Sequence, residues 1–222
     1  MTELDVFKNF AAIFAKNGFK LYLVGGSTRD FLLRRDLGDF DVATDATPSD
    51  MEEFLPDGDF RFRRFGNVNY YFDGYKFEIT TLRKEGEYTD FRHPSYIKYV
   101  TKVEDDFKRR DFTVNAIYID DEENVYDFAD GISDLKKGVL KMIGDPQVRI
   151  KEDPLRILRA LRFSLTLDFL LDEELKKAIV DNVSLLEKIN PSKINVEIKK
   201  IMDIDEEKGL ALLSEFNIKS KY

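Results

Sequence analysis

The chain has no cysteine and no tryptophan, and its 222 residues include a single histidine, His93. Without cysteine there is neither a disulfide nor a thiolate metal site, so any metal must be held by oxygen or by that histidine. His93 lies in the polar run Phe91-Arg92-His93-Pro94-Ser95 and reads as a solvated loop residue rather than a ligand. No apolar run approaches the roughly 18 residues of a membrane-spanning helix. The opening MTELDVFKNF also lacks the charged-then-apolar layout of a signal peptide, so a cytoplasmic protein with no membrane partner is expected. An excess of positive charge is missing too: 35 Lys and Arg against 43 Asp and Glu leave a net charge of −8. That excludes a generally basic face, so any contact with nucleic acid must come from a local one. What is present is 43% hydrophobic residues, enough for a real core.

The most informative stretch runs from Leu21 to Pro48, LYLVGGSTRDFLLRRDLGDFDVATDATP. Gly25 and Gly26 follow the apolar run Leu21 to Val24, so a strand can stop there and expose backbone N–H groups to a phosphate. A short helix is predicted from Ser27 to Arg35, with its positive end toward whatever the glycines bind. Asp39 and Asp41 sit at i and i+2 of a predicted strand, which places both carboxylates on one face. Hard cations such as Mg²⁺ take carboxylate oxygens and bridge phosphate oxygens, so the pair suits a metal beside a triphosphate. Arg29 is placed to pair with phosphate, or is an ordinary helix-surface arginine.

The remaining elements follow from periodicity. Leu4, Phe7, Phe10, Ala11 and Phe14 recur at helical spacing, and Thr47-Pro48 with Asp50 starts a second short helix. Two strands, Asn67 to Phe72 and Tyr75 to Leu82, flank the hairpin turn Asp73-Gly74. Glu78 is a candidate third carboxylate if this hairpin lies beside the Asp39 strand. Residues Arg83 to Ser95 are polar and aperiodic and read as a mobile loop. Thr101 and Glu104 suggest a capping box for a helix running to about Arg109. Strands are expected at Ile117 to Asp120, Val125 to Phe128 and Val139 to Ile143, with helices from Pro146 onward.

A second constellation is Glu152-Asp153-Pro154-Leu155-Arg156, continuing to Arg159 and Arg162. On a helix the three arginines share one side, opposite Leu158, Leu161 and Leu165. They are either a solvated basic face or a nucleotide-reading face. In the second case Asp153 accepts from an exocyclic amino group while Arg156 donates to a ring nitrogen or carbonyl. Cytosine and adenine carry such amino groups, whereas uracil and guanine present carbonyl oxygens there. The pair would select CTP and ATP without a template.

Together these motifs resemble the head and neck of the class II tRNA nucleotidyltransferases, the CCA-adding enzymes, with bacterial poly(A) polymerases as close relatives. The resemblance covers roughly residues 1 to 202. It rests on Gly25, Gly26, Arg29 and Asp30, on Asp39 and Asp41, on the Glu78 strand, on Arg109 to Ala116 (RRDFTVNA) and on Glu152 to Phe163. It implies an α+β fold: a polymerase-beta-like nucleotidyltransferase head, residues 1–145, with a small mixed or antiparallel sheet flanked by helices. An all-α neck, residues 146–222, follows, with the family's body and tail regions absent. It also implies two Mg²⁺ ions at Asp39 and Asp41, with Glu78 as a further catalytic carboxylate. The nucleotide-binding residues it implies are Gly25, Gly26, Ser27, Arg29, Arg110, Asp111, Asn115, Asp153, Arg156, Arg159 and Arg162, and the loop after Arg83 matches one linked to the switch from CTP to ATP. The implied activity is addition of C and A to a tRNA 3′ end. Poly(A) addition, C-only or A-only addition, and a catalytically silent RNA-binding fragment are the alternatives. The neck motif E-R-I-x-x-E is kept only in part, at Lys193 to Glu197.

Overall fold

A computed structural model describes residues 2–88 and 94–218; His93 and the middle of the expected loop lie outside them. The chain forms two compact units that interleave in sequence. The first comprises residues 1–85, 97–110 and 114–132, and the second 86–96, 111–113 and 133–222.

The first unit opens with α1 (Glu3–Lys16), followed by β1 (Leu21–Leu23), α2 (Gly25–Leu32), β2 (Phe40–Thr44) and α3 (Pro48–Phe54). Next come β3 (Asn67–Phe72), β4 (Tyr75–Thr81), β5 (Arg83–Glu85), β6 (Ile97–Tyr99), α4 (Val103–Asp106), β7 (Ile117–Ile119) and β8 (Val125–Asp127). Six strands pair in the order β3-β4-β2-β1-β7-β8. All neighbours are antiparallel except β2 and β4, which run parallel with Asp41 opposite Glu78. Side chains alternate across this sheet. Leu21, Leu23, Phe40, Val42, Phe77 and Ile79 join one core with α1, while Tyr22, Val24, Ala43 and Tyr118 join another on the opposite face. Asp41 and Glu78 therefore occupy positions on the second face. The first core is rich in rings: Phe10 of α1 lies 4.2 Å from Phe77 and 5.1 Å from Phe72, centroid to centroid.

Both predicted N-terminal helices form, and Thr47 and Asp50 make a reciprocal capping box at α3. The Asp73-Gly74 turn has positive φ at both residues, as its type requires. Three expectations need correction. Helix α2 begins at Gly25, two residues early, so the glycines are its first turn rather than a loop before it. The supposed loop contains β5, paired with β6. Thr101 caps nothing, because the cap position of α4 falls on Lys102 and the helix lasts only four residues before tightening into a 3₁₀ turn at Phe107–Arg109.

The second unit takes in α5 (Gly131–Lys137), which starts at its boundary, then β9 (Val139–Leu140), α6 (Pro146–Glu152) and α7 (Leu155–Leu167). It continues with β10 (Leu170–Leu171), α8 (Glu173–Asn182), α9 (Pro191–Ile204) and α10 (Glu206–Glu215). The strand expected from Val139 shrinks to two residues, paired in parallel with β10. Asp145, Asp172, Asn190 and Asp205 cap α6, α8, α9 and α10 through their side chains. Helix α7 packs on α9 and α10, and α6 on α8, around Leu158, Leu161, Ile179, Ile198 and Ile201. Among the described residues no helix is long and apolar enough to cross a membrane.

The fully buried Phe10 ring makes a direct stability prediction. Phe10→Ala should destabilise the first unit by about 3–5 kcal/mol, read as a lower urea midpoint with unchanged slope.

Candidate active site

In the first unit a cavity of about 300 Å³ is lined by Gly26, Ser27, Asp30, Leu37, Gly38, Asp39, Asp41 and Glu78. Asp41 is the second residue of β2, and α2 points its N-terminus at that carboxylate. The Gly26 N–H donates to Asp41 Oδ2 at 2.9 Å. A Cβ at Gly26 would stand 3.0 Å from the same oxygen, and one at Gly25, whose φ is +63°, 3.1 Å. The glycines thus let a carboxylate come up against a helix terminus. Ser27 closes the contact by accepting from the Asp41 N–H at 2.7 Å and donating to the Asp39 carbonyl at 3.4 Å. Burial raises the Asp41 pKa above the usual carboxylate range, with Glu78 adding to it; the Gly26 N–H, Arg110 and Arg29 offset part of the rise.

Asp39 is exposed on the rim of the cavity, just before β2. Glu78, in register with Asp41, lines the same space, and its carboxylate is engaged by Lys76. Among the described residues no group of three or more His, Asp or Glu side chains is gathered closely enough to hold a metal unaided. Mg²⁺ does not require one, since it is commonly held by one or two carboxylates together with substrate phosphates and water. The hard oxygen donors of Asp39 and Asp41 fit that mode.

Two arginines are fixed in the same unit. Arg29 is buried rather than a surface residue of α2, and its Nη1 donates to Asn115 Oδ1 at 2.8 Å. Arg110 donates from Nε to Tyr118 Oη at 2.7 Å and to Asp106 Oδ2 at 3.0 Å. Tyr118 in turn donates to Asp106 at 2.6 Å, while Arg109 Nε and the Arg83 N–H reach the other carboxylate oxygen. Burial alone would raise the Asp106 pKa, but Arg109, Arg110 and these hydrogen bonds hold it well below the usual range. Sequence reasoning missed Asp106 and Tyr118. Asp106 was legible as an acid three and four residues before Arg109 and Arg110 on one helical turn; Tyr118 left no local signal.

In the second unit the three arginines of α7 do not form a solvated face. Each is held by a different acid. Arg156 is buried and donates from Nη1 to Glu152 Oε2 at 2.8 Å. Arg159 grips Asp111 Oδ2 through Nε at 2.9 Å and through Nη2. Arg162 Nε meets Glu197 Oε2 at 3.0 Å. Although burial works against it, Asp111 is kept below the usual carboxylate range by Arg159. Asp153 accepts the Leu155 N–H at 3.1 Å, so its carboxylate is oriented at the start of α7. Of the RRDFTVNA motif, Arg110 and Asn115 thus belong to the first unit and Asp111 to the second.

Comparison with known proteins gives a consistent picture. A family model described as Poly A polymerase head domain matches residues 21–141. A CCA-adding enzyme of Bacillus licheniformis is 40% identical over 187 residues, covering 84% of this chain and 47% of the relative. One of Lactobacillus helveticus is 41% identical over 184 residues, covering 83% and 46%. The crystal structure of the Bacillus stearothermophilus CCA-adding enzyme in complex with CTP matches with a TM-score of 0.88 at 31% identity, covering 99% of this chain and 54% of that one. The chain spans about half the length of the curated relatives it matches.

The buried Asp106 predicts a pH signature. With a folded-state pKa below the unfolded one, its contribution is fully present above about pH 4 and fades as pH falls toward the folded value. Asp106→Asn should cost about 3–5 kcal/mol at pH 7, and its stability gap from the unsubstituted chain should narrow below about pH 4 in urea titrations.

Proposed function

The chain belongs to the Poly A polymerase head domain family, and on that premise we propose that it is a template-independent nucleotidyltransferase adding C and A from CTP and ATP to the 3′ end of tRNA. The observation that carries this reading is the cavity where Asp39, Asp41 and Glu78 meet the N-terminus of α2. The similarity to CCA-adding enzymes, one of them solved with CTP, supports the choice of substrates.

Asp39 and Asp41 are the proposed ligands of two Mg²⁺ ions, whose chemistry when bound is to neutralise the triphosphate and make the terminal 3′-hydroxyl more acidic. Arg29, oriented by Asn115, and Arg110, oriented by Asp106 and Tyr118, offer fixed positive charge to the phosphates and the departing pyrophosphate. Because their partners already hold them, little reorganisation is needed as charge develops. The proposed base readers are Asp153, as acceptor for an exocyclic amino group, and Arg156, as donor to the ring edge. Arg159 and Arg162, tied to Asp111 and Glu197, are proposed to stabilise the reading helix α7 rather than to read a base themselves.

The test is incubation of tRNA lacking its 3′ terminal CCA with each labelled nucleotide, singly and in pairs. CTP alone should extend the acceptor, ATP should be added after CTP, and UTP and GTP should be refused. A growing homopolymer with ATP alone would identify a poly(A) polymerase instead, and no incorporation at all would refute the proposal. Asp39→Ala or Asp41→Ala should abolish incorporation with little change in melting temperature. Asp153→Ala should let UTP compete with CTP.

A further inference from the structure

Helix α6 supplies a charged side chain, Arg149, that has no part in the proposed reaction. Arg149, Glu152 and Arg156 are spaced i, i+3 and i+7, which brings them to one side of the path from α6 into α7. One carboxylate oxygen, Glu152 Oε2, accepts from Arg149 Nη1 at 2.5 Å and from Arg156 Nη1 at 2.8 Å. The same Arg156 Nη1 donates to the Arg149 carbonyl at 2.6 Å. Both hydrogens of that nitrogen therefore point into the last turn of α6, which leaves the Nη2 side of the buried guanidinium turned away from that helix. It faces the Tyr88 hydroxyl at 3.5 Å, with the guanidinium carbon 5.4 Å from the ring centroid.

We propose that Arg149 is a positioning residue for nucleotide choice: acting through Glu152, it sets the angle at which Arg156 presents its Nη2 edge to the base. The proposal rests on the reading of Asp153 and Arg156 as base readers. Glu152 alone is a poor anchor, being partly exposed with three rotatable bonds, whereas the Arg149 side chain is largely buried. A carboxylate shared by two guanidinium groups is held from both sides. Remove Arg149 and Glu152 is free to swing, carrying Arg156 with it. Hydrogen-bond discrimination between cytosine and uracil depends on alignment, which weakens steeply with angle. The consequence falls on selectivity before it falls on folding. Burial and the nearby Arg156 both lower the Arg149 pKa, which agrees with two like charges held together by one acid.

The experiment uses the full chain with tRNA lacking its 3′ terminal CCA and measures kcat/KM for CTP and for UTP. Arg149→Met should reduce the CTP preference by about tenfold or more, the scale of one charge-assisted hydrogen bond, mainly through a higher KM for CTP. Arg149→Lys, which restores a cation beside Glu152, should recover most of the preference. Glu152→Gln provides a second route should Arg149→Met fold poorly, and it should weaken the preference in the same direction. Equal loss of CTP and UTP turnover, with the preference unchanged in both variants, would assign Arg149 a structural role only and overturn the proposal. Failure of the unsubstituted chain to incorporate any nucleotide would overturn the nucleotidyltransferase reading as well, so the two failures are distinguishable.

Discussion

The approach of the Asp41 carboxylate to the first turn of α2 is the contact on which the first unit's site depends. A Cβ at Gly26 or Gly25 would stand 3.0 or 3.1 Å from the carboxylate oxygen and push it back, and Gly25 also takes a φ of +63° that favours glycine. Ser27 then ties the backbone of β2 to the same turn. Once Asp41 is fixed, the parallel register of β2 and β4 determines that Glu78 shares its cavity, and the helix axis determines where Arg29 is buried.

The second recurring device is the arginine held by a nearby acid. Arg110 with Asp106, Arg156 with Glu152, Arg159 with Asp111 and Arg162 with Glu197 all follow it. In a chain of net charge −8 such pairs keep cations inside the protein without leaving them uncompensated. A guanidinium has five donors, and its acid takes only some of them. The geometry of the pair decides which edge faces outward. In the proposed reading, such pairs would let a mostly acidic chain offer ordered positive charge to phosphates or a base.

Much of this was legible in the sequence. The strands of the Asp73-Gly74 hairpin, the helix start at Thr47 and the amphipathic helix at Leu155 follow from local turn chemistry and periodicity, and the structure contains them. The i, i+2 spacing of Asp39 and Asp41 does bring both to one cavity, although β2 begins only at Phe40 and Asp39 precedes it. The contact of Gly26 was not legible: its N–H is donated to Asp41, a partner 15 residues away that no local pattern reveals. The arginines of α7 were similarly ambiguous. Helical spacing put them on one side but could not find Asp111 and Glu197, 48 and 35 residues distant. Interleaving of the two units was invisible for the same reason, because a sequence boundary is drawn once whereas the RRDFTVNA motif crosses between units twice.

The most direct measurement of what the glycine-bounded carboxylates do is Mn²⁺ binding, followed by electron paramagnetic resonance of the free ion, with and without CTP. The unsubstituted chain should take up Mn²⁺ far more tightly when CTP is present, and Asp41→Asn, which keeps an oxygen in place for the Gly26 N–H, should lose that enhancement. Equal Mn²⁺ uptake by both proteins would contradict a metal and triphosphate site at Asp39 and Asp41.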